Sequence, residues 1–123
     1  MQNKELQEKY NLTKDEFWEV RSGNWVISHS ACEKIASIEG IFFSKPEVHL
    51  TTFGLGLIGE AWKQGKQINT IWATGEAGPD NVKMSGKYYW AMAEKRLKDR
   101  LTLKLIEAFG IYSEEEADDF KKE

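Results

Sequence analysis

The sequence predicts an α+β fold, in which an antiparallel β-meander of about three strands packs against one long C-terminal amphipathic helix, with short N-terminal helices. Residues 48–74 alternate between two faces with a period of two, as half-buried strands do. Residues 87–109 place apolar side chains every three or four positions, as a helix packed on one side does. A chain of 123 residues with 41% hydrophobic residues can build one core.

Two capping boxes predict the short N-terminal helices. Thr13–Glu16 is the first, and it predicts a helix that continues to about Val20. Ser30–Glu33 is the second, and the helix that it opens should end at Gly40, because glycine readily adopts the left-handed conformation that ends helices. A short apolar segment, Trp25–Ile27, lies between them.

The middle of the chain predicts the strands. Residues 48–53 are rich in β-forming residues, and residues 55–61 alternate between two faces. Lys63–Lys66 contains Gly65 and predicts a hairpin turn, after which residues 68–74 form the returning strand. These segments together predict the meander.

A loop to about Gly86 should precede the long helix, which we expect from about Lys87 to Phe109 with Gly110 as its C-cap. Its apolar positions are Trp90, Ala93, Leu97, Leu101, Leu105 and Ala108. A domain of this size must bury most of its tryptophans, so we expect Trp72 and Trp90 in the core.

Charge is distributed unevenly along the chain, although its net charge is only −3. Residues 83–106 carry seven basic and two acidic residues, whereas residues 107–123 carry seven acidic and two basic residues. We predict a single domain over residues 1–112 and an acidic tail over residues 113–123. A basic segment followed by an acidic tail is typical of proteins that contact polyanions. A solvated helix followed by a solvated terminus is the alternative.

Composition excludes several classes of protein. No apolar run is long enough to span a membrane, and the polar start Met1–Glu5 does not have the pattern of a signal peptide. Cys32 is the only cysteine, so an internal disulfide is impossible. We therefore expect a cytoplasmic protein that does not contact membranes.

One stripe of basic residues is the candidate binding site. Arg96, Arg100 and Lys104 recur every four residues, beside the apolar positions of the long helix. Cations fixed along a line can bind the phosphates of a single strand without reading its sequence, and a nearby aromatic ring can stack a base. The candidate nucleic-acid-binding residues are Lys83, Lys87, Tyr88, Arg96, Arg100 and Lys104. The alternative is that these bases pair with neighbouring Glu and Asp side chains.

No catalytic, metal or cofactor site is predicted. Gly75–Gly78 is rich in glycine but lacks the Gly-Lys-Ser/Thr sequence of a phosphate-binding loop. His29 and Cys32 are spaced as metal ligands or as a nucleophile and base can be, but no second ligand pair exists. A buried structural cysteine is the common case. We therefore expect a protein that is not an enzyme and uses no cofactor.

Residues 71–110 resemble the core of the single-strand annealing superfamily, which includes the eukaryotic recombination annealing protein and the phage Erf and Sak groups. The matching residues are Gly75, Glu76, Ala77, Asn81, Lys83, Gly86, Ala91, Ala93, Lys95, Arg96, Asp99, Lys104, Phe109 and Gly110. The strings Ala91–Arg96 and Glu115–Phe120 also resemble phage-encoded proteins of undefined function.

The resemblance implies a helix packed on a curved antiparallel sheet, assembly into homo-oligomeric rings or filaments, and a basic groove for single-stranded DNA. It implies a phage protein that acts in DNA recombination in the host cytoplasm without bond chemistry. One departure is that the adjacent Lys-Arg pair late in the family's helix is reduced here to Lys104, preceded by Leu103. The competing hypothesis is a small phage protein that binds and inhibits a host or defence protein through its acidic tail.

Overall fold

The computed structural model of the protein describes residues 3–52, 54–65, 69–79 and 88–116, which form an α+β structure as predicted. The helices are α1 (Asn3–Lys9), α2 (His29–Glu39), α3 (Tyr89–Leu105) and a 3₁₀ turn at Glu114–Glu116. The strands are β1 (Phe17–Glu19), β2 (Trp25–Ile27), β3 (Ile41–Phe43), β4 (Glu47–Thr51), β5 (Gly54–Lys63), β6 (Ile71–Ala77) and β7 (Ile111–Ser113).

The main sheet contains β3, β4, β5 and β6, and it is built around the long strand β5. Strands β3 and β4 pair with the two halves of one edge of β5, while β6 pairs with its other edge, and all three pairings are antiparallel. The Ser44 amide, between β3 and β4, donates to the carbonyl of Glu60. The predicted three-stranded meander therefore corresponds to β4, β5 and β6, and the additional strand β3, which the sequence does not predict, gives the sheet four strands.

Helix α3 packs on one face of the main sheet, which we call the inner face. Leu97 and Leu101 are buried there as predicted, and Leu105 packs against the same cluster while remaining half-buried. The buried strand residues opposite them are Leu55, Leu57, Ala61, Ala73 and Ala77. The period-two pattern of the strands thus meets the helical pattern of α3 in one core.

Gly75 allows α3 to lie directly on β6. A Cβ atom at this position would stand 2.3 Å from the Ala93 carbonyl oxygen and 2.6 Å from the Leu97 amide nitrogen, both of which belong to the helix backbone. Because backbone atoms cannot rotate away as a side chain can, any larger residue would force α3 off the sheet.

A second core lies beneath α1 and α2, where the sequence predicts no sheet. The small sheet consists of β1, β2 and β7, with β2 antiparallel to β1 and parallel to β7. The apolar residues buried in this core are Leu6, Tyr10, Leu12, Phe17, Ile27, Ala31, Cys32, Ile35, Leu103, Ile106 and Ala108. Ser113, where the predicted acidic tail begins, is fully buried in β7, and residues 117–123 lie outside the described part of the chain.

The helix predicted from Thr13 is wrong. Half of the capping box forms, since the Thr13 amide donates to the Glu16 carboxylate over 2.9 Å. The chain then makes a turn and enters β1, where the Phe17 ring packs 4.7 Å from that of Trp25. Tertiary pairing with β2 therefore overrides the local helix signal.

Helix α2 has its predicted end but a different start. Its N-cap is Ser28, not Ser30, and the Ser28 hydroxyl accepts from the Ala31 amide over 3.1 Å. Gly40 adopts the left-handed conformation that ends the helix, as predicted.

Helix α3 ends at Leu105, four residues before the predicted end. The Glu107 amide donates to Lys104 and the Ala108 amide to Leu103, which is the hydrogen-bond pattern of a Schellman motif. Glu107 takes the left-handed position, with φ of 58°, that glycine usually occupies. The burial of Leu103 and Ala108 in the second core supports this motif, so the expected C-cap at Gly110 is wrong.

Replacing Gly75 with alanine should destabilise the protein by about 1–3 kcal/mol or more, because the added methyl group overlaps the α3 backbone. Gly56→Ala is the matched control, since its Cβ would meet nothing within 4 Å. Urea denaturation of the two variants measures the difference. Equal free energies of unfolding would contradict the close approach of α3 to β6.

Candidate functional site

The basic stripe of α3, formed by Arg96, Arg100 and Lys104, lies along β6. Each side chain donates to a different backbone carbonyl of that strand. The bonds run from Arg96 Nη1 to Glu76 O (2.7 Å), from Arg100 Nη1 to Thr74 O (2.7 Å) and from Lys104 Nζ to Trp72 O (3.1 Å). These carbonyls belong to alternate residues, which share one edge of a strand.

The spacing of the stripe matches the spacing of the strand. Four residues of a helix rise about 6 Å, and two residues of an antiparallel strand about 6.8 Å. Helix α3 runs antiparallel to β6, so successive bases meet successive carbonyls on the same edge. In the described part of the chain β6 pairs only with β5, and the stripe therefore covers an edge that could otherwise pair with another strand.

The two arginines of the stripe are engaged inside the molecule. Arg96 is only 3% exposed. Arg100 forms a bidentate pair with Glu76 at 2.8 and 3.0 Å and also binds Glu116 through Nε at 2.8 Å. The hydrogen bond from Arg100 holds the pKa of Glu76 below its usual value. Pairing with neighbouring carboxylates, the alternative that the sequence left open, therefore describes Arg100.

The remaining predicted residues are placed differently. Tyr88 precedes α3 and is partly exposed. Lys104 lies at the end of the stripe, with its ammonium 5.8 Å from the centre of the Trp72 ring. Lys83 and Lys87 lie outside the described residues, as do Asn81 and Gly86 of the family motif.

Three aromatic rings lie on the face of the main sheet opposite α3, which we call the outer face. Phe42 and Trp62 pair across β3 and β5 with their ring centres 6.3 Å apart and an interplanar angle of 25°. Trp72 on β6 pairs with Glu60, two residues from Trp62, and is therefore the diagonal neighbour of Trp62. Phe42 is 49% exposed and Trp72 is 64% exposed.

The expectation that Trp72 and Trp90 belong to the core is wrong. Trp72 lies between the half-buried Ile71 and the buried Ala73 of β6, both of which pack on the α3 side, so its side chain points away from α3. Trp90 is 51% exposed in the first turn of α3. The alternation of small buried residues with Trp72 was visible in the sequence and is the signal that could have revealed the outer face.

The outer face is polar as well as aromatic. Glu60 and Thr74 are exposed between and beside the rings. Lys104 reaches the same region from the edge of β6 and contacts the Trp72 ring. This surface therefore offers flat rings, one adjacent cation and one adjacent carboxylate.

A second polar cluster joins α2 to α3. His29 Nδ1 lies 2.7 Å from Asp99 Oδ1, and the His29 amide donates to Glu114 over 3.3 Å. Asp99 is completely buried, and no partner is found for its Oδ2 among the described atoms. Burial raises the pKa of Asp99, and the hydrogen bond that His29 makes to the Asp99 carboxylate raises the pKa of His29.

This cluster does not have the arrangement of an activated cysteine nucleophile. Cys32 lines a cavity of about 160 Å³ together with His29 and Asp99. Burial, with the nearby Asp99, raises the pKa of the Cys32 thiol well above its usual value. A nucleophilic cysteine needs a lowered pKa, so Cys32 is held as a thiol. Among the described residues no group of three or more His, Cys, Asp or Glu side chains could hold a metal ion.

Comparison with known proteins gives no relative, since no family model, no curated protein and no solved structure matches the chain. Across the described residues, none of the helices has both the length and the apolar character that crossing a membrane requires.

Replacing Arg96 with methionine should lower the free energy of unfolding by about 1–3 kcal/mol, because the Glu76 carbonyl loses a buried hydrogen-bond donor. Lys98→Met on the same helix is the control, since Lys98 makes an exposed pair with Glu94 that should contribute less than about 0.5 kcal/mol. Chemical denaturation checks the difference. An Arg96→Met variant with the same free energy of unfolding as the parent protein would contradict the role of Arg96 in covering the β6 edge.

The His29–Asp99 pair should make stability depend on pH. The pKa of His29 is raised in the folded state, so its stabilisation is complete below about pH 6.5, its value in the unfolded chain. This stabilisation is lost as pH rises through the folded-state pKa. The urea midpoint should therefore fall as pH rises above about 6.5.

His29→Gln should remove this part of the pH dependence, whereas His49→Gln, on the exposed strand β4, should retain it. A urea midpoint that falls equally in both variants would show that the dependence arises elsewhere.

Proposed function

We propose that this chain binds single-stranded nucleic acid on the outer face, with bases stacked on Phe42, Trp62 and Trp72. The observation that carries the proposal is the row of three rings on one face of β3, β5 and β6, in which Phe42 pairs with Trp62 and Trp72 is diagonal to Trp62. Phe42 and Trp72 are about half exposed or more. Rigid sheet strands hold these rings, so little side-chain entropy would be lost when a base stacks on them.

Stacking favours single strands. Each stacked base contributes about 1–3 kcal/mol in known single-strand-binding proteins, whereas a duplex keeps its bases paired and inaccessible. Every base has an aromatic face, so this mode of binding does not depend on sequence.

The charges near the rings define where the sugar–phosphate backbone would run. Lys104 lies beside Trp72 at the β6 edge, and its ammonium can meet a phosphate. Glu60 lies between Trp72 and the Phe42–Trp62 pair and would repel phosphates. The backbone would therefore follow the Lys104 side of the row. The proposal does not use Arg96 or Arg100, whose guanidinium groups are engaged with β6.

The specific form of this function is single-strand annealing in phage DNA recombination, as the resemblance over residues 71–110 implies. Assembly into a homo-oligomer belongs to the same proposal. It is supported by Val48 and Leu50, which point towards the α3 side of the sheet but remain 43% and 70% exposed. Exposed apolar side chains on a neighbouring pair of positions favour contact with another subunit.

Trp72→Ala should weaken binding of a fluorescein-labelled (dT)20 oligonucleotide by about 5- to 150-fold, as the loss of about 1–3 kcal/mol of stacking requires. Trp90→Ala is the matched control, because Trp90 is similarly exposed but lies on α3 and not on the outer face. Glu60→Gln should tighten binding, because it removes a repelling charge. Fluorescence polarisation measures all three affinities.

Loss of affinity in Trp90→Ala alone would place the site elsewhere. If the parent protein binds neither (dT)20 nor the corresponding RNA at low salt, nucleic-acid binding is refuted. Inhibition of a host or defence protein then becomes the better hypothesis.

A further inference from the structure

A cavity of about 280 Å³ lies where the C-terminal end of α3 meets the end of β5 and the start of β6, and we call it the end cavity. The described residues that line it are Lys63, Asn69, Ile71, Lys104, Leu105 and Glu107. We propose that the end cavity binds the phosphate group of the nucleotide whose base stacks on Trp72. This inference rests on the proposed function, because it names a phosphate subsite next to the stacking row.

The cavity and the stacking row are joined by Lys104. This side chain lines the cavity, while its ammonium lies 5.8 Å from the Trp72 ring centre. A base on Trp72 would therefore have its phosphate within reach of the cavity mouth. The volume lies near the lower end of ligand pockets, about 300 Å³, and suits a phosphate with its sugar.

Three of the residues that line the cavity carry donors that a phosphate can accept from. Lys63 and Lys104 supply ammonium groups and Asn69 supplies a side-chain amide. An ammonium carries three donors, and one donor of Lys104 is given to the Trp72 carbonyl at 3.1 Å. The ammonium of Lys63 lies 3.5 Å from Glu39, whose other oxygen pairs with Lys9 at 3.4 Å.

The wall of the cavity combines these donors with apolar surface. Ile71 and Leu105 line it, and both pack on the buried cluster between α3 and the main sheet. An apolar wall lowers the local dielectric and strengthens the attraction between a phosphate and the two lysines. Glu107 is the one acidic residue among the described lining residues, and its removal should favour an anion.

The first experiment measures the salt dependence of (dT)12 binding for the parent protein and for Lys63→Gln/Lys104→Gln. If the two lysines hold one phosphate together, the slope of log affinity against log salt should flatten by about 0.7 in the double variant. Lys98→Gln on the same helix is the control and should leave the slope unchanged, because Lys98 is not among the described residues that line the end cavity. Glu107→Gln should tighten binding. Circular dichroism confirms that each variant is folded.

The second experiment identifies the ligand group by NMR of the full chain. Titration with thymidine 5′-monophosphate should shift the Trp72 indole and the backbone amides of Asn69 and Leu105, whereas thymidine, which carries no phosphate, should shift the Trp72 indole without these two amides. If inorganic phosphate shifts the same two amides, a free anion is sufficient for binding in the end cavity. If only (dT)12 shifts them, the cavity binds the sugar–phosphate backbone of a nucleic-acid strand.

The outcomes separate the two proposals. If (dT)12 binds and Trp72→Ala weakens it, but the lysine variant keeps the parent slope and the monophosphate shifts neither Asn69 nor Leu105, the end cavity is not a phosphate site while the proposed function stands. If (dT)12 does not bind but the monophosphate shifts these amides, the cavity is a nucleotide site and strand binding is refuted.

Discussion

The contact between α3 and β6 is the constraint on which the rest of the structure depends. Gly75 lets the two backbones approach, and the basic stripe then bonds to alternate carbonyls along the strand edge. Only a helix lying close to β6 and antiparallel to it can bring side chains four residues apart to carbonyls two residues apart. The adjacent Glu76 binds Arg100, so residues 75 and 76 fix both the distance and the register of the helix.

This contact decides which surfaces remain for binding. Because α3 covers the inner face, its arginines Arg96 and Arg100 turn towards the β6 edge and bond to that strand. The outer face has no helix on it among the described residues, and its alternate positions carry Phe42, Trp62 and Trp72. The same alternation that buries Ala73 and Gly75 under α3 therefore exposes Trp72 on the other side.

Local patterns predicted the main sheet and α3, because period-two and period-3.6 burial leaves a direct trace in the sequence. The small sheet left no such trace: its strands have three residues each, and β2 pairs with β7 across most of the chain length. The Schellman motif at Glu107 was equally hidden, since glutamate seldom occupies that position. For the site, the sequence identified the stripe of basic residues but not the groups that accept its hydrogen bonds. Spacing alone cannot distinguish a phosphate from a backbone carbonyl as the acceptor.

The internal hydrogen bonds of Arg96 and Arg100 change the salt dependence that we expect of nucleic-acid binding. A protein that neutralises many phosphates binds with a steep salt dependence, since every contact releases counterions. Here Arg96 and Arg100 are satisfied by Glu76, Thr74 and Glu116, and using them for phosphates would leave these groups without donors. Among the described residues, Lys104 is the cation that contacts a ring of this row, so in the proposed binding mode base stacking would supply most of the affinity. A chain with net charge −3 could then bind a single strand with an affinity that depends only weakly on salt concentration. This expectation follows from the internal hydrogen bonds of α3 and not from the number of basic residues in the helix.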